Sequence, residues 1–136
     1  MFKYNTGALT LSPATIAPVC HGNDSLQLTC TASDSVEFLG WILMQLVNEQ
    51  GMIEEFSPMY IGANSLSPQP MPIVVNSTTI TIRRISARGA SPLVSTLSFD
   101  SVGIGLNGTV VNCADETNSM APASESTTIY IINIST

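Results

Sequence analysis

The sequence has few charged residues and no long apolar run. Charged side chains make up 10% of the 136 residues, whereas 44% are hydrophobic. No segment approaches the roughly 18 consecutive apolar residues that a membrane-spanning helix requires. These features predict one soluble domain over residues 1–136, long enough to bury a core without help from a metal.

Basic side chains are scarce. Four Lys and Arg residues stand against ten Asp and Glu residues, which gives a net charge of -6 at pH 7. Proteins that bind nucleic acids or anionic membranes rely on clustered Lys and Arg. The composition therefore argues against both as partners.

The residues needed for catalysis or metal binding are also few. The chain has one histidine, His21, so a nucleophile, a base and an orienting acid cannot be assembled around it. Cys20 lies beside it, but adjacent residues on a strand point to opposite faces. The three cysteines have neither the C-x-x-C spacing nor the His pair of a zinc site. We therefore predict no enzyme activity, no metal and no cofactor.

Short β-rich runs recur between clusters of Ser, Pro, Asn and Gly, and helical periodicity is almost absent. In one run Leu26, Leu28 and Cys30 face one side while polar residues face the other. Residues 62–76 contain three prolines and predict at most a short edge strand. Residues 115–126 predict an extended loop. Eight runs predict an all-β chain, namely 7–11, 25–31, 39–47, 52–61, 77–86, 92–102, 108–114 and 126–134.

Several motifs combine into a pattern typical of one family. L-x-L-x-C ends at Cys30, Trp41 follows eleven residues later, S-x-L-x-F-x-x-V spans 95–102, and N-G-T-V-V-N-C ends at Cys113. Across nearly its whole length the chain resembles variable-type domains of the immunoglobulin superfamily, which occur in cell-surface receptors and adhesion proteins. The resemblance implies a Greek-key β-sandwich of about eight to nine antiparallel strands.

The resemblance also implies a core. It pairs Cys30 with Cys113 in a disulfide over Trp41, because one cystine and one large aromatic fill the gap between packed sheets well. Where the family usually carries the tyrosine of its tyrosine corner, this chain has Val111, so that hydrogen bond is not expected. The last strand lacks the Phe-Gly-x-Gly bulge of antigen receptors, so an antigen-receptor function is not implied. The other predicted core residues are Leu28, Leu97, Phe99 and Val111.

The third predicted strand suggests an interaction surface. If Trp41 and Leu43 point into the core, then Ile42, Met44 and Leu46 point outward. The resemblance places these three on the sheet of C, C′, F and G strands, which the family commonly uses to bind partners. An exposed apolar patch is also what an interface requires. The alternative is that a long loop folds over this face.

Cys20 has no partner under the implied pairing. Three interpretations stay open for it: an intermolecular thiol that crosslinks a neighbouring chain or domain, a buried inert thiol, or an alternative partner of Cys30 or Cys113. The last of these would empty the core of its cystine.

Four N-x-Ser/Thr sequons occur at Asn23, Asn76, Asn107 and Asn133, and each could accept a glycan in a secretory pathway. Together with the implied disulfide they predict an extracellular or cell-surface location. The implied topology places three of them at one pole. The loops of the opposite pole contain five acids, which could attract a cationic partner or Ca²⁺, although scattered surface acids are the favoured interpretation. These acids are Asp34, Glu37, Asp115, Glu116 and Glu125.

The resulting hypothesis is an extracellular recognition or adhesion module of a membrane-anchored or secreted chain. It would bind a protein partner, or a second copy of itself, through the C, C′, F, G sheet or the distal loops. Two alternatives belong to other classes. One is a structural spacer domain without a ligand, and the other is a carbohydrate-binding sandwich, which the scattered aromatics make weaker.

Overall fold

Strands predominate along the chain, in agreement with its alternating apolar pattern. A computed structural model describes residues 9–13, 18–20, 25–33, 36–47, 50–64, 71–75, 78–102, 104–117 and 124–132. Within them, a short 3-10 helix lies at Ile104–Leu106. The strands are β1 (Leu9–Ser12), β2 (Val19–Cys20), β3 (Leu26–Ala32), β4 (Phe38–Val47), β5 (Ile53–Gly62), β6 (Met71–Val75), β7 (Thr78–Arg84), β8 (Val94–Asp100), β9 (Val110–Asp115), β10 (Ser124–Thr128) and β11 (Ile131–Ile132).

The strands form two antiparallel sheets and one small parallel pair. The five-stranded sheet has the order β1-β3-β8-β7-β6, and the four-stranded sheet has the order β10-β9-β4-β5. β2 and β11 pair in parallel, with Val19 opposite Ile131 and Cys20 opposite Ile132. The predicted all-β architecture with two antiparallel sheets is therefore confirmed.

The core lies between the two sheets, where the inward residues of each strand meet. In β3, Leu28 and Cys30 are fully buried, whereas Gln27, the residue before Leu28, is exposed. In β4, Trp41 and Leu43 are fully buried. This two-residue period is the one that the sequence predicts, because successive side chains of a strand face opposite sides.

A disulfide joins the two sheets through the middle of the core. Cys30 of β3 and Cys113 of β9 are bonded, with their Cα atoms 6.6 Å apart. Trp41 lies on β4 directly opposite Cys113, so the indole and the cystine are neighbours on the same inner face. The pairing is the one that the resemblance implied. The remaining predicted core residues are all at most 1% exposed, namely Leu28, Leu97, Phe99 and Val111.

The proline-rich segment forms β6 at the edge of the five-stranded sheet, as the expected short edge strand, and this position tolerates Pro72 because an edge strand has unpaired backbone groups. The strand pattern differs from the prediction at two other places. The run at 126–134 is broken, since β10 pairs with β9 and β11 pairs with β2. β2 was not predicted at all, because two residues are too short to show a period.

Candidate functional site

The outer face of the four-stranded sheet carries the residues predicted as an interface. Ile42 and Met44 of β4 are half-buried, on the side opposite the fully buried Trp41 and Leu43. Regular alternation along β4 therefore holds up to Met44. Leu46 also belongs to β4, but its side chain lies outside the described residues.

The alternation in β4 is interrupted just beyond Met44. Gln45 has a positive φ of 59°, and the pairing with β5 shifts register between Leu43 and Leu46. A non-glycine residue with positive φ is uncommon and often marks a bulge, where an extra residue re-aims the side chains that follow. The two-residue alternation that predicts an outward Leu46 is therefore interrupted at Gln45, before it reaches Leu46.

Cross-strand pairing adds three residues to this face. Asn112 lies opposite Ile42, Val110 lies opposite Met44, and both neighbours are half-buried. Tyr60 of β5 lies opposite Gly40, and its side chain is 55% exposed. We call Ile42, Met44, Tyr60, Val110 and Asn112 the outer strip. None of the five carries a charge.

Gly40 lies at one end of the outer strip, and a side chain covers it. A Cβ atom built on Gly40 would lie 2.8 Å from Cγ of Glu116, closer than real Cβ contacts come. The missing side chain thus lets the aliphatic part of Glu116 cross the backbone of β4 beside Tyr60. Glu116 is the acid that borders the outer strip at this end.

Exposed apolar side chains also occur beyond both ends of the outer strip. Phe38, at the start of β4, is 48% exposed. At the hairpin that joins β4 to β5, Met52 is 65% and Ile53 is 73% exposed. Large apolar side chains exposed along one face are typical of interaction surfaces.

A hydrogen-bond network holds the loops next to Phe38. Thr117 Oγ1 accepts hydrogen bonds from the backbone N–H groups of Glu37, at 2.7 Å, and Phe38, at 3.0 Å. The N–H of Thr117 donates to Asp115 Oδ1 at 2.9 Å, and the N–H of Glu116 donates to the carbonyl of Phe38 at 2.9 Å. The loop after β9 is thereby fixed to the start of β4.

Among the acids predicted for this pole, Asp115 is buried and Glu37 and Glu125 are exposed, whereas Asp34 lies outside the described residues. Within the described part of the chain, no three acids, cysteines or histidines gather as metal ligands. The bond to Thr117 accounts for the inward position of Asp115. Asp115 therefore helps to fix the loop after β9.

The predicted glycan and thiol positions are only partly described. Asn107 is exposed in the turn after the 3-10 helix, and its Oδ1 accepts a hydrogen bond from the N–H of Ile131 at 2.8 Å. This bond places Asn107 beside Ile131 of β11. Cys20 pairs with Ile132 in the β2-β11 ladder, and its side chain lies outside the described residues. Asn23, Asn76 and Asn133 lie outside them entirely.

Sequence reasoning missed Tyr60, Val110 and Asn112 as members of the outer strip. Their own strands show that alternate residues face outward, but not which of them lie beside Ile42 and Met44. That information resides in the register between β4, β5 and β9, which the sequence does not show. Aligning the inward residues of β5 and β9 with Trp41 could have reduced the number of candidate neighbours of Ile42 and Met44.

No helix among the described residues is long and apolar enough to cross a membrane. Comparison with known proteins finds no matching family and no matching curated relative.

Proposed function

We propose that the chain is a variable-type immunoglobulin-like domain. The pairing of β10, β9, β4 and β5 in one sheet and of β1, β3, β8 and β7 in the other supports this, because it corresponds to the G-F-C-C′ and A-B-E-D orders of such domains. The cystine between the sheets, with Trp41 beside it, supports it further. β6 departs from the pattern, since it extends the second sheet rather than the first.

We further propose an extracellular setting for this domain. The cystine supports it, because disulfides form and persist in oxidising compartments and are rare in the cytosol. Asn107, the exposed asparagine of a sequon, also fits a secretory route. In that setting the domain would belong to a membrane-anchored or secreted recognition protein.

The function we propose is recognition of another domain of the same kind through the outer strip, with a second copy of this chain as the partner. The observation that carries it is the exposure of Tyr60 beside the half-buried, uncharged side chains of the strip. Tyrosine is enriched at the centres of interfaces, since it buries a large area while its hydroxyl can still form a hydrogen bond. Ile42, Met44 and Val110 would complete the apolar centre.

Charge makes this pairing dependent on salt. Each chain carries a net charge of -6, so two copies repel each other at long range. Because no charged residue lies in the strip itself, the repulsion comes from the surroundings and is screened within about 8–10 Å at physiological ionic strength. Self-association should therefore strengthen as salt rises from about 10 mM to 150 mM.

Sedimentation equilibrium over a range of protein concentrations tests the proposal. We expect a monomer–dimer equilibrium for the native chain, and a monomer for Ile42→Asp and for Tyr60→Asp. Val74→Asp is the matched control, because Val74 is 68% exposed on β6, at the edge of the other sheet. It should dimerise like the native chain.

Two results would count against a homophilic strip. If the native chain is monomeric up to about 1 mM, where a complex worth roughly 4 kcal/mol would still be seen, the spacer hypothesis is favoured. If Val74→Asp abolishes the dimer while Tyr60→Asp does not, the contact lies on the other sheet.

A further inference from the structure

The opposite sheet contains a polar groove that the outer strip does not involve. A depression of about 530 Å³ lies on the outer face of β3, β7 and β8. Its size is within the range of small-molecule sites, which is roughly 300–1,000 Å³. Its lining consists of the largely buried Arg84 and six further residues, namely Gln27, Thr81, Arg83, Ile85, Thr96 and Ser98. We call these six residues the polar groove.

Strand register arranges the groove in two adjacent rows. Gln27, Ser98 and Thr81 lie directly opposite one another across β3, β8 and β7. Two residues further along the strands, Arg83 lies opposite Thr96. Directly opposed residues on one face have Cβ atoms about 4.5–5.5 Å apart, and the rows are separated by about 7 Å. The side chains of Gln27, Ser98, Thr81 and Arg83 thus share an area the size of a sugar ring, and Thr96, which is 4% exposed, lies buried among them.

The two neighbouring arginines of β7 have different roles. Arg84 is 3% exposed, and its Nη1 donates to the carbonyls of Gly62, at 2.9 Å, and Ala63, at 3.2 Å. It therefore serves the fold. Arg83 is exposed on the groove side, and within the described part of the chain no carboxylate forms an ion pair with it.

The electrostatic surroundings leave the charge of Arg83 available to a ligand. The strands of this sheet contain one carboxylate, Asp100, which lies opposite Thr79 at the far end of β8. Asp100 follows Thr96 by four positions along β8, which corresponds to a distance of about 13 Å between their Cα atoms. At physiological salt this exceeds the Debye length, so Asp100 does not neutralise Arg83.

We propose that the polar groove binds an acidic saccharide, a sugar that carries a carboxylate. Guanidinium groups bind carboxylates bidentately, through two parallel N–H···O bonds. The hydroxyls of Thr81 and Ser98 and the amide of Gln27 can each donate to and accept from sugar hydroxyls. Ile85, 55% exposed at the end of the groove, offers an apolar contact for the C–H face of the ring.

The lining favours this ligand over other anions. A nucleic acid requires several cations along its phosphates, and the groove has one exposed arginine among its lining residues. An acidic peptide would gain from pockets for its apolar side chains, whereas this lining is mostly hydroxyl and amide. Among the described residues that line the groove none is aromatic, so binding rests on hydrogen bonds and on one ion pair rather than on stacking.

Titration of ¹⁵N-labelled protein with glucuronate, glucose and acetate, followed by amide chemical shifts, tests the proposal. We expect glucuronate to shift the amides of Thr81, Arg83, Thr96 and Ser98 with a millimolar dissociation constant. Glucose lacks the carboxylate and acetate lacks the hydroxyls, so both should bind at least about tenfold more weakly, equivalent to about 1.4 kcal/mol.

Arg83→Gln should weaken glucuronate binding at least about tenfold. Arg83→Lys should give an intermediate value, since it keeps the charge but not the bidentate geometry. Arg88→Gln is the matched control, because Arg88 is exposed, donates through Nε to the carbonyl of Asn64 at 3.2 Å and lies outside the groove. Its binding should equal that of the native chain.

Four outcomes would overturn the proposal. Equal binding of glucose removes the role of the carboxylate, and equal binding of acetate removes the role of the hydroxyls. Tighter binding of an Asp-Glu dipeptide assigns the groove to acidic peptides. Absence of any shift up to about 50 mM glucuronate, well above a millimolar dissociation constant, removes the site.

Discussion

The indole Nε1–H of Trp41 donates a hydrogen bond to Ser95 Oγ over 2.9 Å, and this bond connects the two sheets inside the core. Ser95 is fully buried on β8, and its hydroxyl in turn donates to the carbonyl of Arg83 at 2.8 Å. The one tryptophan of the chain therefore has the only polar atom of its side chain hydrogen-bonded to a residue of the opposite sheet. A buried indole N–H without such a partner would be costly.

Ser95→Ala should lower the free energy of unfolding by about 1–3 kcal/mol, because it leaves the Trp41 N–H and the Arg83 carbonyl without their partner. Urea denaturation followed by the fluorescence of Trp41 measures this loss. Ser98→Ala, a half-buried position on the outer face of the same strand, should change stability by less than about 0.5 kcal/mol. Equal losses in both variants would show that the buried bond contributes nothing.

Reduction of the Cys30–Cys113 disulfide should remove about 4–5 kcal/mol, because the bond closes a long loop, with a sequence separation of 83 residues, and so restricts the unfolded chain. Thermal melting with and without a reducing agent measures the effect. A Cys20→Ser background prevents exchange with the third cysteine. A reduced protein that melts within a few degrees of the oxidised one would contradict the prediction.

Arg84→Met should destabilise the domain by roughly 1.5–3 kcal/mol, since hydrogen bonds from a charged group to the carbonyls of Gly62 and Ala63 are lost at a buried site. Chemical denaturation is the measurement. Arg83→Met makes the same change at the exposed neighbour and should stay within about 0.5 kcal/mol of the native chain. The reverse order would mean that Arg84 is not the structural arginine.

Thr117→Val should open the loop next to Phe38 without unfolding the sheets, because Thr117 Oγ1 is the acceptor for two backbone N–H groups. Hydrogen exchange at the amides of Glu37 and Phe38 should accelerate, while exchange in the core strand β3 stays slow. Thr117→Ser keeps the hydroxyl and should preserve the slow exchange. Fast exchange in Thr117→Ser as well would assign the effect to the lost methyl group.

Asn107 should carry a glycan when the chain is produced through a eukaryotic secretory pathway, because this asparagine of the sequon is exposed in a turn. Its Oδ1 accepts from Ile131, so the Nδ2 atom is left for the sugar. Mass spectrometry of the intact chain and of Asn107→Asp detects the modification. Asn107→Asp retains an acceptor and should be more stable than Asn107→Ala by about 0.5–1.5 kcal/mol. An unmodified Asn107 in the secreted chain would contradict the prediction.

Strand identity was accessible from the sequence where the period was clear, as in β3, β4 and β9. It was not accessible at β2, and β6 was foreseen only as a short edge strand. At β2 the partner is the distant β11, whereas β6 pairs with the next strand, β7. The outward positions of Ile42 and Met44 on β4 were predicted because Trp41 indicates the inward face. Arg83 was overlooked, because the period of β7 predicts that it faces outward but not which side chains of β3 and β8 lie beside it.

The sequence by itself determined the side of each regular strand that faces the core, because a period of two makes every second residue inward. Together with the family resemblance, which implies a buried Trp41, this period predicts that Ile42 faces outward. Only the tertiary structure decided which residues face each other across strands, such as Arg83 and Thr96, or Gly40 and Tyr60. That register depends on packing and loop closure between distant segments, and a shift of one residue would reverse every face.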